Sequence, residues 1–175
     1  MPRKIEVVDY NPDWASRFDL EKRSLQQLLG SLAIRIEHIG STSVPGLCAK
    51  PVLDIAIEVT DLTVLDGKRE QFVKLGYLPK GENGIEGRRY FQKGGDQRSH
   101  HIHAFLSGNE HLLNHLAFKA YLIAHPDIAL QYGDVKKNAA SHCDHDSRVY
   151  MAMKNTFIQT HLELARLWYK TQTDK

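Results

Sequence analysis

The chain opens on alternating hydrophobic periods. Residues 4–8 have strand composition and end at Asn11-Pro12, where Asn suits a helix N-cap and Pro the first helical position. Trp14, Phe18, Leu25 and Leu29 then recur on one helical face, and Gly30 stands where a glycine closes a helix. Over residues 33–39 the period drops to two, with Ile34, Ile36 and His38 on one face and Arg35 and Glu37 on the other. After the small-residue stretch Gly40-Ser41-Thr42-Ser43-Val44-Pro45-Gly46, a second strand follows over residues 52–59. There Leu53, Ile55, Ile57 and Val59 form an apolar face, while Val52, Asp54, Ala56 and Glu58 form a mixed one. Leu62, Leu65, Phe72 and Leu75 predict a helix over 62–75, closed by Gly76. Two strands over 88–93 and 100–105, joined through a Gly94-Gly95-Asp96 turn, predict an antiparallel hairpin. From Asn109 the pattern is helical: one helix through Leu112, Leu113, Leu116 and Ala120, a restart at Pro126, and a long last helix carrying Tyr150, Phe157, Ile158, His161, Ala165 and Trp168. Strands mixed with helices, then helices alone, predict an α/β or α+β fold, a sheet flanked by helices with a helical C-terminal layer. We expect one domain over residues 1–169 and a disordered polar end over 170–175.

Composition changes this picture little. With 42% hydrophobic and 25% charged residues the 175-residue chain is an ordinary globular one, and a formal charge of +2 is too mild for a nucleic-acid footprint over the whole surface. Nucleic acid is therefore not an expected partner. Cys48 and Cys143 make no disulfide framework, and Met1-Pro2-Arg3-Lys4 is followed by no signal-peptide core. No apolar run approaches the roughly 20 residues of a membrane span. The expectation is a cytoplasmic protein without a membrane partner.

The candidate chemistry gathers around the small-residue loop. Gly40, Ser41, Thr42 and Ser43 offer backbone amides and hydroxyls that can surround a phosphate, and Asp54 follows on a strand, on the face that need not be core. A tight turn whose hydroxyls cap the next segment is the competing reading. Lys50, held extended by Pro51, can direct an ammonium toward phosphates. In the hairpin, alternation puts Arg89 and Lys93 on one face, which favours Arg89 over Arg88 as a phosphate ligand. Tyr150 and Lys154, one helical turn apart, are candidates to close the pocket, with Tyr150 equally suited to packing. His101 and His103 share a strand face, and with Asp54 and His38 they make a candidate metal set; hydrogen bonding within a mixed core is the alternative. The run Ser141-His142-Cys143-Asp144-His145-Asp146 lacks the separated ligand pairs of a zinc site, and Asp144 or Asp146 is read as a cap of the last helix.

Several of these segments carry a resemblance. Ile36 through Leu47 with its Gly40-Ser41 step, Lys50-Pro51 through Asp54-Ile55, Gly87 through Phe91, His100 through His103, and His115 through Phe118 with Tyr121-Leu122 and His125-Pro126 resemble the GrpB family, as do Asp146, Tyr150, Lys154, Phe157 and Ile158. The resemblance runs over nearly the whole chain. It implies a nucleotidyltransferase-superfamily fold and, because the family also occurs fused to the kinase of the last step of coenzyme A synthesis, a functional link to that synthesis.

Metal-dependent nucleotidyl transfer uses two acids separated by one residue on a strand, with a third acid on a neighbouring strand. Asp54 is the first, but the second position is Ala56, and Glu58 lies about 13 Å along the strand from Asp54, too far to share its ion. Three functions follow as expectations. The first is a nucleotidyltransferase using Mg²⁺ or Mn²⁺, with Asp54 catalytic and a nucleotide or other phosphorylated ligand on the loop. The second is a non-catalytic nucleotide- or cofactor-binding module. The third is a metal-dependent hydrolase, with Zn²⁺ or a similar ion on His101, His103 and Asp54.

Overall fold

A computed structural model describes residues 5–173. Helix α1 (Asp13–Leu29) starts on Asn11, whose Oδ1 accepts the Asp13 amide at 2.9 Å, and leads through a single 3₁₀ turn into β1 (Ala33–Ile39). The Gly40 loop, with a second 3₁₀ turn at Ser41–Ser43, precedes β2 (Leu53–Val59). Next come α2 (Leu62–Asp66), α3 (Arg69–Lys74), β3 (Tyr77–Pro79), β4 (Arg88–Lys93) and β5 (His100–Leu106). Helices α4 (Glu110–Ala124), α5 (Pro126–His142) and α6 (Ser147–Thr173) complete the described chain.

The five strands form one mixed sheet in the order β1-β2-β5-β4-β3, in which only the β2–β5 pair is parallel. The apolar face read from β2 is core: Leu53, Ile55, Ile57 and Val59 pack with Trp14, Phe18, Leu25, Leu65, Phe72 and Ile102 beneath α1, α2 and α3. The opposite face meets α4 through Ile39, Ala56, Phe105, Leu112 and Leu116. Helices α4, α5 and α6 close around the loop after β1 by burying Val44 and Leu47 against Tyr121, Leu122, Tyr132 and Ala165. The expected sheet with a helical C-terminal layer is therefore the observed one, and the hairpin is present. Of the two candidate caps it is Asp146 whose Oδ1 accepts the Arg148 amide; Asn109 likewise accepts the His111 amide at the start of α4.

Some local readings change. Residues 5–8 are not a strand but make the isolated bridge Val8 to Ala49, because Ile5 and Val7 pack against Ala139, Cys143 and Tyr150 instead of extending the sheet; Lys4, placed at the start of that strand, lies outside the described residues. The helix over 62–75 is broken at Gly67 and Lys68, where the residue with no side chain weakens helix formation. Ile34 is exposed because β1 shifts register between Ala33 and Arg35. The three-residue β3 is too short to show a period of two, and it escapes sequence reading. Helix α6 continues through Thr173, so residues 170–173 of the polar end are helical, while Asp174 and Lys175 lie outside the described residues. Among the described residues no helix is long and apolar enough to cross a membrane.

Candidate functional site

Register decides which side chains meet. Asp54 stands opposite His101, and Ala56 opposite His103, so the acid and both imidazoles rise from one sheet face. His103 Nε2 is 3.1 Å and His101 Nδ1 is 3.4 Å from the same oxygen, Asp54 Oδ1. Burial alone would raise the Asp54 carboxyl, but the bonds and charges of His101 and His103 overcome it and hold the group well below the usual carboxylate range. The other carboxylate oxygen faces the loop, where a Cβ on Gly40 would come within 2.8 Å of Oδ2. Only glycine permits that approach, and Gly40 has φ +73.

Arg88, not Arg89, reaches this site. Tyr90 pairs with His103, so the even-numbered residues of β4 share the Asp54 face, and Arg88 Nη1 lies 3.3 Å from His103 Nδ1. Arg89 is on the other face, bound to Asp66 at 2.8 and 3.3 Å. The sequence expectation had the alternation right but took the opposite face, because Phe91, which Arg89 flanks, belongs to the main core. A guanidinium only donates, so His103 Nδ1 accepts from Arg88 and the Nε2–H donates to Asp54.

His38 also departs from the expected metal set. It pairs with Ile55, stacks on Phe18 with ring centroids 4.9 Å apart, and bonds through Nε2 to Thr42 Oγ1 at 2.8 Å. Burial, helped by the charge of Lys119, lowers its pKa to about 4, as befits a neutral strut beneath the loop. Thr42 is thereby occupied, and the Ser43 hydroxyl donates to the Gly40 carbonyl, so these two hydroxyls hold the turn. Both bond backward, toward His38 and Gly40, and neither caps the segment that follows, which the competing reading expected. Ser41 instead turns its hydroxyl to the Tyr132 phenol.

Beside Asp54 lies a cavity of about 270 Å³ lined by Ser41, Lys50, His101, Lys136, Tyr150 and Lys154, among others. Lys50 and Lys154 sit over the Tyr150 ring, at 5.0 and 4.9 Å from its centroid, so Tyr150 both packs and spaces two ammonium groups. Sequence reading missed Lys136. It is 1% exposed, its Nζ has no hydrogen-bond partner among the described residues, and it rests 4.8 Å over the Tyr132 ring. Its signal was available: Tyr132, Lys136 and Ala139 recur at helical spacing on the buried face of α5. Burial is the main cause that lowers its pKa to about 7, with the charges of Lys154 and Lys50 adding to it; burial and Lys50 lower that of Lys154 to about 8. His101 Nε2 is likewise buried with no partner among the described residues. The cavity therefore gathers three amines, one of them deeply buried, and such donors suit an anionic ligand.

A preformed divalent-metal centre does not fit these donors. Ala56 supplies no ligand, and Glu58 is held by Arg35 at 3.1 Å and by the Ser107 hydroxyl at 2.8 Å. His103 spends Nδ1 on Arg88 and Nε2 on Asp54. Among the described residues no three His, Cys, Asp or Glu side chains are grouped to hold an ion.

Comparison with known proteins agrees with the fold. The chain is 46% identical over 168 residues to the UPF0157 protein YqkA of Bacillus subtilis, covering 96% of this chain and 49% of YqkA, so it spans about half that relative's length. It matches the crystal structure of conserved protein GrpB from Enterococcus faecalis with a TM-score of 0.89 and 40% identity, over 94% of this chain and 99% of that one. A structure of Cid1 in complex with its short product ApU superposes at a TM-score of 0.50 and 14% identity, over 74% of this chain and 42% of Cid1, a likeness of nucleotidyltransferase-like fold. The family model described as GrpB protein matches residues 4–164, and the chain belongs to that family.

Proposed function

We propose that this protein binds a nucleotide or another phosphorylated small molecule, with the phosphates among Lys50, Lys136 and Lys154 and beside the Ser41 hydroxyl. The observation that carries this reading is the buried ammonium of Lys136, without a hydrogen-bond partner among the described residues, in a cavity already lined by two further lysines. An amine left so is costly, and a phosphate oxygen removes the cost. The lysines supply countercharge for the phosphates beside the incomplete acidic motif.

A second reading, nucleotidyl transfer, is favoured by one contact: the Gly40 loop lies directly on the Asp54 carboxylate at the end of a strand. In that reading the three lysines stabilise charge as it develops on the transferring phosphoryl group and on departing pyrophosphate. The hydrolase reading has the weakest support, because both nitrogens of His103 are engaged. Thermal denaturation with inorganic triphosphate, ATP, UTP and coenzyme A precursors, each with and without Mg²⁺, Mn²⁺ or Zn²⁺, tests the first reading. A ligand at 100 times its dissociation constant adds about 2.7 kcal/mol, and this gain should vanish in Lys154→Met. No gain with any phosphorylated compound refutes the reading. Pyrophosphate release by the wild type, absent in Asp54→Asn, separates transfer from binding.

A further inference from the structure

A second cavity, of about 490 Å³, opens on the other side of Ser41, between α4 and α6. Its walls are mainly apolar, including Ile85, Phe118 and Ile158, and its polar lining includes Asn114, His115 and Asn155 as well as His111 and Lys119. Lys119 is committed elsewhere, donating to the His38 carbonyl at 2.7 Å. Asn114 Oδ1 is buried and has no hydrogen-bond partner among the described residues. A buried amide oxygen without a donor is rare in a folded protein and marks a place where a ligand or water donates.

We infer that this cavity is a nucleobase subsite, its heterocycle held between apolar walls and hydrogen-bonded to Asn114, with the phosphates of the same molecule in the lysine cavity across Ser41. The inference rests on the phosphate reading and deepens it: the ligand is a nucleotide rather than a phosphorylated compound lacking a base. Three features support it. Ser41 lines both cavities, so one molecule can pass over the loop from one to the other. The volume lies within the range of pockets that enclose small-molecule ligands, and a few polar groups in apolar walls is their usual make-up. Asn114 and Asn155 carry no charge, and the Lys119 ammonium is already held by the His38 carbonyl. Burial and the neighbouring His103 lower the His115 pKa to about 4, so at neutral pH its ring offers one donor and one acceptor and no charge. Such a set suits the amide and amine edges of a base and does not suit a second phosphate.

Calorimetric titration of the full chain with inorganic triphosphate, ATP, GTP, CTP and UTP tests this. At least one nucleoside triphosphate should bind about tenfold more tightly than inorganic triphosphate. Asn114→Ala should erase that preference and leave the affinity for inorganic triphosphate unchanged, which also reports that the variant is folded. Asn155→Ala, at an exposed position of α6, gives a second and milder reading of the same preference. Equal affinity for all five compounds overturns the subsite and leaves the phosphate reading standing. A preference that survives both substitutions overturns the assignment to this cavity. Binding of none of the five overturns this inference, and the phosphate reading falls with it when the coenzyme A precursors also give no thermal gain.

Discussion

Gly40 approaches Asp54 so closely that a Cβ at position 40 would stand 2.8 Å from Oδ2 of the carboxylate. The loop and the acid are thus one unit, and a methyl group must either displace the loop or turn the carboxylate away from His101 and His103. Gly40→Ala is expected to destabilise by about 1–3 kcal/mol and to weaken phosphate binding with it. Gly46→Ala is the comparison, since Gly46 also has positive φ (+84) but nothing within 4 Å of the added Cβ. It should cost about 1 kcal/mol and leave binding intact. Denaturant unfolding and titration with inorganic triphosphate check both, and equal effects would remove any special role for the Gly40 contact.

Replacing Lys136 by Met exchanges a buried ammonium, without a hydrogen-bond partner among the described residues, for an apolar chain of similar length. The free protein should gain roughly 1 kcal/mol or more, because no hydrogen bond is lost and a desolvation cost disappears. Affinity for inorganic triphosphate should fall at least about tenfold. A loss of stability without a loss of affinity would assign Lys136 to structure alone.

The same lysine sets a pH dependence. In the folded protein Lys136 releases its proton at about 7, against 10.5 for the ordinary side chain, chiefly through burial and then the charges of Lys154 and Lys50, with Cys48 and Asp54 opposing. Between those values the unfolded chain binds more protons than the folded one, so stability rises with pH. Lys154, released at about 8, adds in the same direction. Unfolding measured from pH 7 to 9 should show this rise in the wild type and a smaller one in Lys136→Met. A bound polyanion restores the protons, so inorganic triphosphate should bind with proton uptake between the two folded-state values and more weakly as pH increases.

Arg88 and Arg89 separate site from surface. Arg88→Gln removes the donor on His103 Nδ1 and two bonds to the carbonyls of Glu82 and Asn83. It should cost about 2–3 kcal/mol as a lost group of buried charged bonds and should weaken ligand binding through the freed His103. Arg89→Gln breaks a pair with Asp66 that is half open to water and should change stability by no more than about 1 kcal/mol, with binding untouched. The reverse order in a titration of the two variants would return the site to Arg89.

Much of the architecture is legible because it rests on local periods. The alternation over β2 and β5 places Asp54 on one strand face, and His101 with His103 on another, before any contact is known, since side chains in a strand point to opposite sides in turn. The Gly40 loop, the helix restart at Pro126 and the cap at Asp146 are similarly local. Reading stops where a choice depends on pairing. Arg88 and Arg89 differ by one residue, and their assignment turns on the β4–β5 register, which brings Tyr90 opposite His103. His38 is parted from Asp54 for the same reason, by pairing with Ile55.

From the residues alone, then, come the elements, their order and the strand faces that carry the acid and the imidazoles, because these follow from the pleat of a strand and the pitch of a helix. What meets those faces was settled by tertiary packing. Lys136 comes from α5, Tyr150 and Lys154 from α6, and Lys50 from the segment before β2, and they surround one cavity because the C-terminal helices pack across the loop through Val44 and Leu47. Packing between distant segments also buries the Lys136 ammonium away from any hydrogen-bond partner among the described residues. Burial of that kind is a property of the assembled layers, and no local pattern of residues contains it.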